Sequence, residues 1–250
     1  MAMQIVMLFF VMIISMISGI GTEEDAIAVS LVLSCIGSII LFYFMYRRSS
    51  RTFIIPEHSH SSGMVWIILL MLALNYFLTS GIGALQDLFG TDFPTSAFEE
   101  GVDDTNVLLL LLSICILTPI AEELCFRGLA FNYLRRTLKF WPANFIHAAV
   151  FALVHIIPIQ IGYTFFVGLL FGWIYNRTGR LSTAIVAHIA FNSAIIPLAF
   201  IPGIEDLLDD AGRMFILIGL PSIAVFLGLF ALFYFWTNKR AQKEPIFTLS

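Results

Sequence analysis

The sequence predicts an all-α fold of about eight transmembrane helices, and three observations carry that prediction. The chain is 59% hydrophobic and 12% charged, with 25 Phe among 250 residues, a balance foreign to soluble globular domains. Apolar runs long enough to cross a ~30 Å hydrocarbon core, about 20 helical residues each, recur from one end to the other. Lys and Arg collect in alternate loops, and the loops between them are acidic.

The runs lie near Ala2 to Ile20, Ala26 to Tyr46, Met64 to Leu85, Asn106 to Leu134, Pro142 to Ile157, Ile161 to Tyr175, Leu181 to Phe200 and Met214 to Trp236. The first has no Lys or Arg before it and no small-x-small cleavage site after it, so it reads as a retained helix rather than a signal peptide. The fifth and sixth are short and meet around Pro158, which suggests a hairpin that barely reaches the far surface. No polar stretch between runs is long enough to build a soluble core. Residues 1–250 therefore read as a single integral membrane domain.

Arg47, Arg48 and Arg51 follow the second run, Arg135, Arg136 and Lys139 the fourth, Arg177 and Arg180 the sixth, and Lys239, Arg240 and Lys243 the eighth. The alternate loops carry Glu23, Glu24 and Asp25, then Asp87, Asp92, Glu99, Glu100, Asp103 and Asp104, then Glu205, Asp206, Asp209 and Asp210, with Arg213 as a basic exception. By the positive-inside rule this places both termini in the cytoplasm and makes the chain a multi-pass protein of the cell membrane. The basic clusters anchor helix ends among lipid headgroups, and nothing in their pattern suggests nucleic acid. His58 and His60 sit in a Ser-rich loop, where solvation is the default. Cys35, Cys115 and Cys125 lack C-x-x-C spacing and read as small packing residues. Gly168 and Gly172 fit a G-x-x-x-G face, read here as packing within the chain, so the oligomeric state stays open.

Few ionisable groups lie at membrane depth: Glu122, Glu123, Arg127, His155 and His188, with His147 nearer an end. A charge at the bilayer centre costs roughly 3 kcal/mol on insertion scales, so each needs a partner, a hydrated cavity or a function. Glu123 and Arg127 are four apart with the acid first, the favoured order for an ion pair on one helix face. Glu122 is rotated ~100° from Glu123 and has no base at the matching offset, which makes it the candidate for chemistry. The alternative is that all three clamp neighbouring helices. Pro119, one turn earlier, disturbs the hydrogen bond to residue 115 and suggests a kink beside a hydrated cavity or one used only for packing. Phe151 and His155 are four apart, as are His188 and Asn192. At ~1.5 Å per residue, Glu122 is ~20 Å from Arg135, His155 ~20 Å from Pro142, and His188 to Asn192 ~10–16 Å from Leu181. All fall in one layer of the cytoplasmic half of the bilayer.

Together, Glu122-Glu123-x-x-x-Arg127, Phe151-x-x-x-His155 and His188-x-x-x-Asn192 resemble the three motifs of the CPBP intramembrane protease family, which groups type II CAAX prenyl endopeptidases with Abi, bacteriocin-processing and self-immunity proteins. The short loops and compact span set resemble a bacterial member. The motifs fall within a core of about 105–200, and the first three runs carry no family signature. The resemblance implies an intramembrane endopeptidase acting on a membrane-associated protein or peptide. Glu122 would activate water with help from His155, and His188 and Asn192 would stabilise the tetrahedral oxyanion. Glu123 and Arg127 would shape the site.

Neutral His188 and the Asn192 amide can both donate hydrogen bonds to a developing oxyanion. No cofactor is needed in that scheme, which we favour. Glu122, His155 and His188 could also form a three-ligand zinc site with an open position for water. Two other functions compete. A proton-coupled transporter would also use buried acids and histidines, but no internal repeat or pair of interrupted helices supports it. A membrane regulator or immunity protein would keep the scaffold and act by binding a partner.

Overall fold

The structure, a computed structural model, describes residues 23–49, 63–91, 107–155, 157–198, 201, 204 and 210–241. The expected first span from Ala2 to Ile20, the loop with His58 and His60, and most of the acidic loop residues lie outside these. The elements are α1 (Glu23–Ser49), α2 (Met64–Phe89), α3 (Val107–Arg135), α4 (Phe140–Leu153), α5 (Pro158–Thr178), α6 (Leu181–Asn192), the single turn α7 (Ile195–Leu198) and α8 (Ala211–Thr237). No strand occurs among the described residues. Residues Leu31–Ser49 of α1 and the whole of α2, α3, α5 and α8 are long and apolar enough to cross a membrane. The protein is a polytopic all-α membrane protein. Helices suit that setting because each satisfies its own backbone where no water can.

Three boundaries depart from the sequence reading, each for a local reason. The sixth run is not short: α5 has 21 residues, with Pro158 in its first turn, where the missing N–H costs no bond. It ends at Gly179, whose φ of 66° is the left-handed cap conformation and whose N–H bonds Tyr175 O at 2.8 Å. The fifth run is shorter than expected, because α4 has 14 residues and stops at Leu153. His155 therefore lies beyond the helix rather than on its face. The seventh run breaks after Asn192 into a turn at Ser193 and Ala194. Pro197 has no N–H to offer Ser193 O, so an uninterrupted helix would lose that bond.

The chain divides into two compact units. In the unit of residues 1–59 and 92–192, α4 and α5 lie antiparallel, with a Cβ on Gly168 meeting Ala148 Cα at 3.4 Å and one on Gly172 colliding with Asn144. The Gly168 and Gly172 face is thus spent on packing inside the chain. A core of Leu124, Phe131, Ala143, Tyr175, Leu181 and Ala184, with Phe42 and Tyr46 against it, draws together the C-terminal ends of α1, α3 and α5 and the N-terminal ends of α4 and α6. The same end carries basic residues that lie over aromatic rings one turn or less away: Arg47 on Tyr43, Arg136 on Tyr133 and Arg177 on Trp173. In the unit of residues 60–91 and 193–250, α2 and α8 run antiparallel, with Gly81 against Phe215 and Gly63 against Trp236.

Candidate active site

The site is built on an irregular stretch of α3. Residues Ser113–Leu117 and Leu124–Phe131 take π-helical register on either side of an α-helical Thr118–Glu123. Short π segments inside α-helices recur at functional sites because they turn the following side chains and free a carbonyl. In the first segment the Thr118 N–H bonds Ser113 O. The next carbonyl in that register, Ile114 O, would look to residue 119, which is Pro and has no N–H. Asn192 Nδ2 donates to Ile114 O instead, at 3.1 Å. The disturbed carbonyl is therefore Ile114 rather than Cys115, and a side chain from α6 satisfies it.

The second segment is tied off in a similar way. The Asn132 N–H turns back to Leu129 O, and its side-chain amide donates to Arg127 O at 2.9 Å and Gly128 O at 3.0 Å. The Tyr175 hydroxyl donates to Asn132 Oδ1 at 3.2 Å. Asn132 on α3 and Tyr175 on α5 thus hold the register in which Glu122, Glu123 and Arg127 emerge.

Glu123 and Arg127 form a fully buried ion pair, with Nη1 2.7 Å from Oε1. Arg127 Nη2 also donates to Gly168 O at 3.3 Å, and the guanidinium carbon lies 4.4 Å from the Phe151 ring centre. The same Glu123 Oε1 is 2.9 Å from His188 Nδ1. A carboxylate that already accepts from Arg127 has no proton to give, so Nδ1 carries the hydrogen and donates. The opposite ring nitrogen, His188 Nε2, is 3.7 Å from Glu122 Oε2. The imidazole therefore spans the two neighbouring acids although their side chains diverge by ~100° around the helix. This corrects one expectation: a neutral His188 has its only proton on Nδ1 and cannot donate from Nε2.

His155 sits in the turn after α4. Its Nδ1 lies 2.9 Å from Phe151 O, and a carbonyl only accepts, so Nδ1 donates and Nε2 keeps its lone pair. That bond also satisfies one of the carbonyls left open at the end of α4. His155 and His188 both lie against Phe151, with ring centres 5.0 and 5.9 Å away. Asn192 is held through Ile114 as described, and its backbone carbonyl accepts from Cys115 Sγ at 3.4 Å. Among the described residues no three His, Cys, Asp or Glu side chains gather into a group that could hold a metal ion. Glu122, His155 and His188 form no such group in this arrangement.

One residue of this neighbourhood escaped the sequence reading, and one was misplaced by it. Phe171 is fully buried, with its ring centre 4.8 Å from His188 and 5.2 Å from the Arg127 guanidinium carbon. His147, expected nearer a helix end, is fully buried between Phe126 and Phe131. One Phe in an apolar helix of a chain with 25 of them carries no signal of its own.

Residues 104–194 match the family model described as type II CAAX prenyl endopeptidase Rce1-like. Over that segment the chain is similar to the family whose motifs it resembles. Among curated proteins, a Bacillus subtilis protein described as "Putative membrane peptidase YdiL" is 28% identical over 113 residues, 45% of this chain and 46% of that protein. The chain thus aligns with about half the length of this relative. No solved structure matches it. The matched segment holds every motif residue from Glu122 to Asn192.

Proposed function

We propose that this chain is an intramembrane endopeptidase of the CPBP type that hydrolyses a peptide bond of a membrane-associated protein or peptide. The observation that supports it best is the opposition of Glu122 Oε2 and His188 Nε2 across 3.7 Å, with the far side of the imidazole tied to Glu123. Two acids and one Arg leave a surplus negative charge in an apolar interior. A proton on each nitrogen of His188 would offset it and direct an Nε2–H into the space beside Glu122.

In this reading Glu122 removes a proton from water, aided by the free Nε2 of His155, and the resulting hydroxide attacks the carbonyl carbon. The carbonyl electron pair moves onto oxygen. His188 Nε2–H and the second amide hydrogen of Asn192, the first being used by Ile114 O, donate to that oxyanion. Collapse breaks the C–N bond, and the proton held by Glu122 passes to the leaving nitrogen. Glu123 and Arg127 hold His188 rather than touching substrate. The site faces the cytoplasmic half of the bilayer, with both termini in the cytoplasm.

Comparative peptidomics of membranes from cells carrying wild type or Glu122→Ala tests the proposal. Cleavage products that disappear in the variant support it, and identical peptide sets would count heavily against proteolysis. Complementation by Glu122→Ala at normal expression would instead favour a regulator that acts by binding. Stoichiometric zinc in active protein, lost together with activity in His188→Ala, would overturn the metal-free scheme.

A further inference from the structure

Phe171 belongs to none of the three motifs, yet it is fully buried and faces two members of the network. Its ring lies 4.8 Å from His188 with an interplanar angle of 34°, and the Arg127 guanidinium carbon is 5.2 Å from its centre. Phe151 closes the other side, 4.4 Å from the same carbon and edge-on to His188 at 80°. An aromatic face is negative and attracts cations, more strongly where water is excluded. The Glu123 hydrogen bond tethers the imidazole at Nδ1 but still allows the ring to rock about its Cβ–Cγ bond. A ring packed 4.8 Å from the imidazole and tilted 34° to it restricts that movement.

We propose that Phe171, on α5, is a positioning residue that holds the His188 ring in the plane aiming Nε2 at the Glu122 space, with Phe151 as the opposing wall. The inference rests on the peptidase reading for its catalytic consequence and on geometry alone for the ring's orientation. The two carboxylates reach His188 from α3, and Phe171 is what α5 supplies against it. Its role is electrostatic as well as steric, so a ring of similar size with its face charge withdrawn should not substitute.

The test places phenylalanine, 4-fluoro-, 3,5-difluoro- and pentafluorophenylalanine at position 171 of the full chain in lipid nanodiscs, alongside Phe171→Leu. The expected result is a stepwise fall in kcat, about tenfold by pentafluorophenylalanine, with KM and melting temperature held. Imidazole NMR of nitrogen-labelled histidine supplies a readout that needs no activity: the His188 Nδ1–H resonance bonded to Glu123 persists with phenylalanine and is lost in Phe171→Leu. A flat kcat across the fluorinated series, or an undisturbed resonance in Phe171→Leu, overturns the proposal. Absence of any cleavage by the wild type would count against the peptidase reading instead and leave the NMR result to decide the role of Phe171.

Discussion

Both units contain a π-helical segment, and they use it differently. In the unit of residues 1–59 and 92–192, the segments in α3 meet polar side chains: Asn192 reaches Ile114 O from another helix, and Asn132 covers Arg127 O and Gly128 O. In the other unit, Phe215–Gly219 of α8 is also π-helical, but it meets Phe77 and the apolar side of α2. Ser80 on α2, which a Cβ on Gly219 would strike, donates to its own helix at Tyr76 O, 2.6 Å away. An irregular helix in a membrane is therefore not by itself a mark of chemistry. What separates the two is whether the irregular stretch presents ionisable groups with partners from other helices.

The sharpest way to break this comparison is to strip one charge from the first unit. Arg127→Met leaves Glu123 buried with only His188 beside it and should cost about 3–5 kcal/mol, read as unfolding in mixed detergent. Adding Glu123→Gln should recover part of that loss, since the residues form one coupled pair. Recovery of nothing would mean the loss comes from the contacts of Arg127 with Phe151 and Gly168 O.

A smaller and more discriminating pair is Gly172→Ala against Gly219→Ala. Each puts a methyl into an occupied position, Asn144 in one case and Ser80 with Phe215 in the other, and each should cost about 1–3 kcal/mol. Only Gly172→Ala should also lower cleavage, because it shifts α5 and with it Phe171. Equal activity losses would erase the functional distinction between the units. The smallest effect belongs to Ser80→Ala: its hydroxyl bonds only carbonyls of its own helix, so a change within ~0.5 kcal/mol is expected, checked by the same unfolding assay.

Much of the fold was legible because lipid imposes length and polarity on every crossing segment. The ion pair was legible too, since an i, i+4 acid and base on one helix have few other choices. The ends of α4 and α6 were not, because hydropathy continues through a turn as readily as through a helix. His155 consequently looked like a helix-face residue when it is a cap. The π register of α3 was equally hidden: slipping one hydrogen bond leaves composition unchanged. The contact of His188 with Glu123 joins residues 65 apart, and it depends on an imidazole having nitrogens on opposite sides. Sequence spacing could assign Glu122 and Glu123 to different faces but could not show that one ring reaches both.

The central claim is that Glu122 is the base that activates water. The most direct measurement uses purified protein in lipid nanodiscs with a membrane-anchored peptide substrate in ¹⁸O-labelled water, comparing wild type with Glu122→Gln. Wild type should place the label in the new carboxylate, and Glu122→Gln, with its helices intact by circular dichroism, should cleave roughly 10²–10⁴ times more slowly. Cleavage by Glu122→Gln at the wild-type rate would contradict the claim.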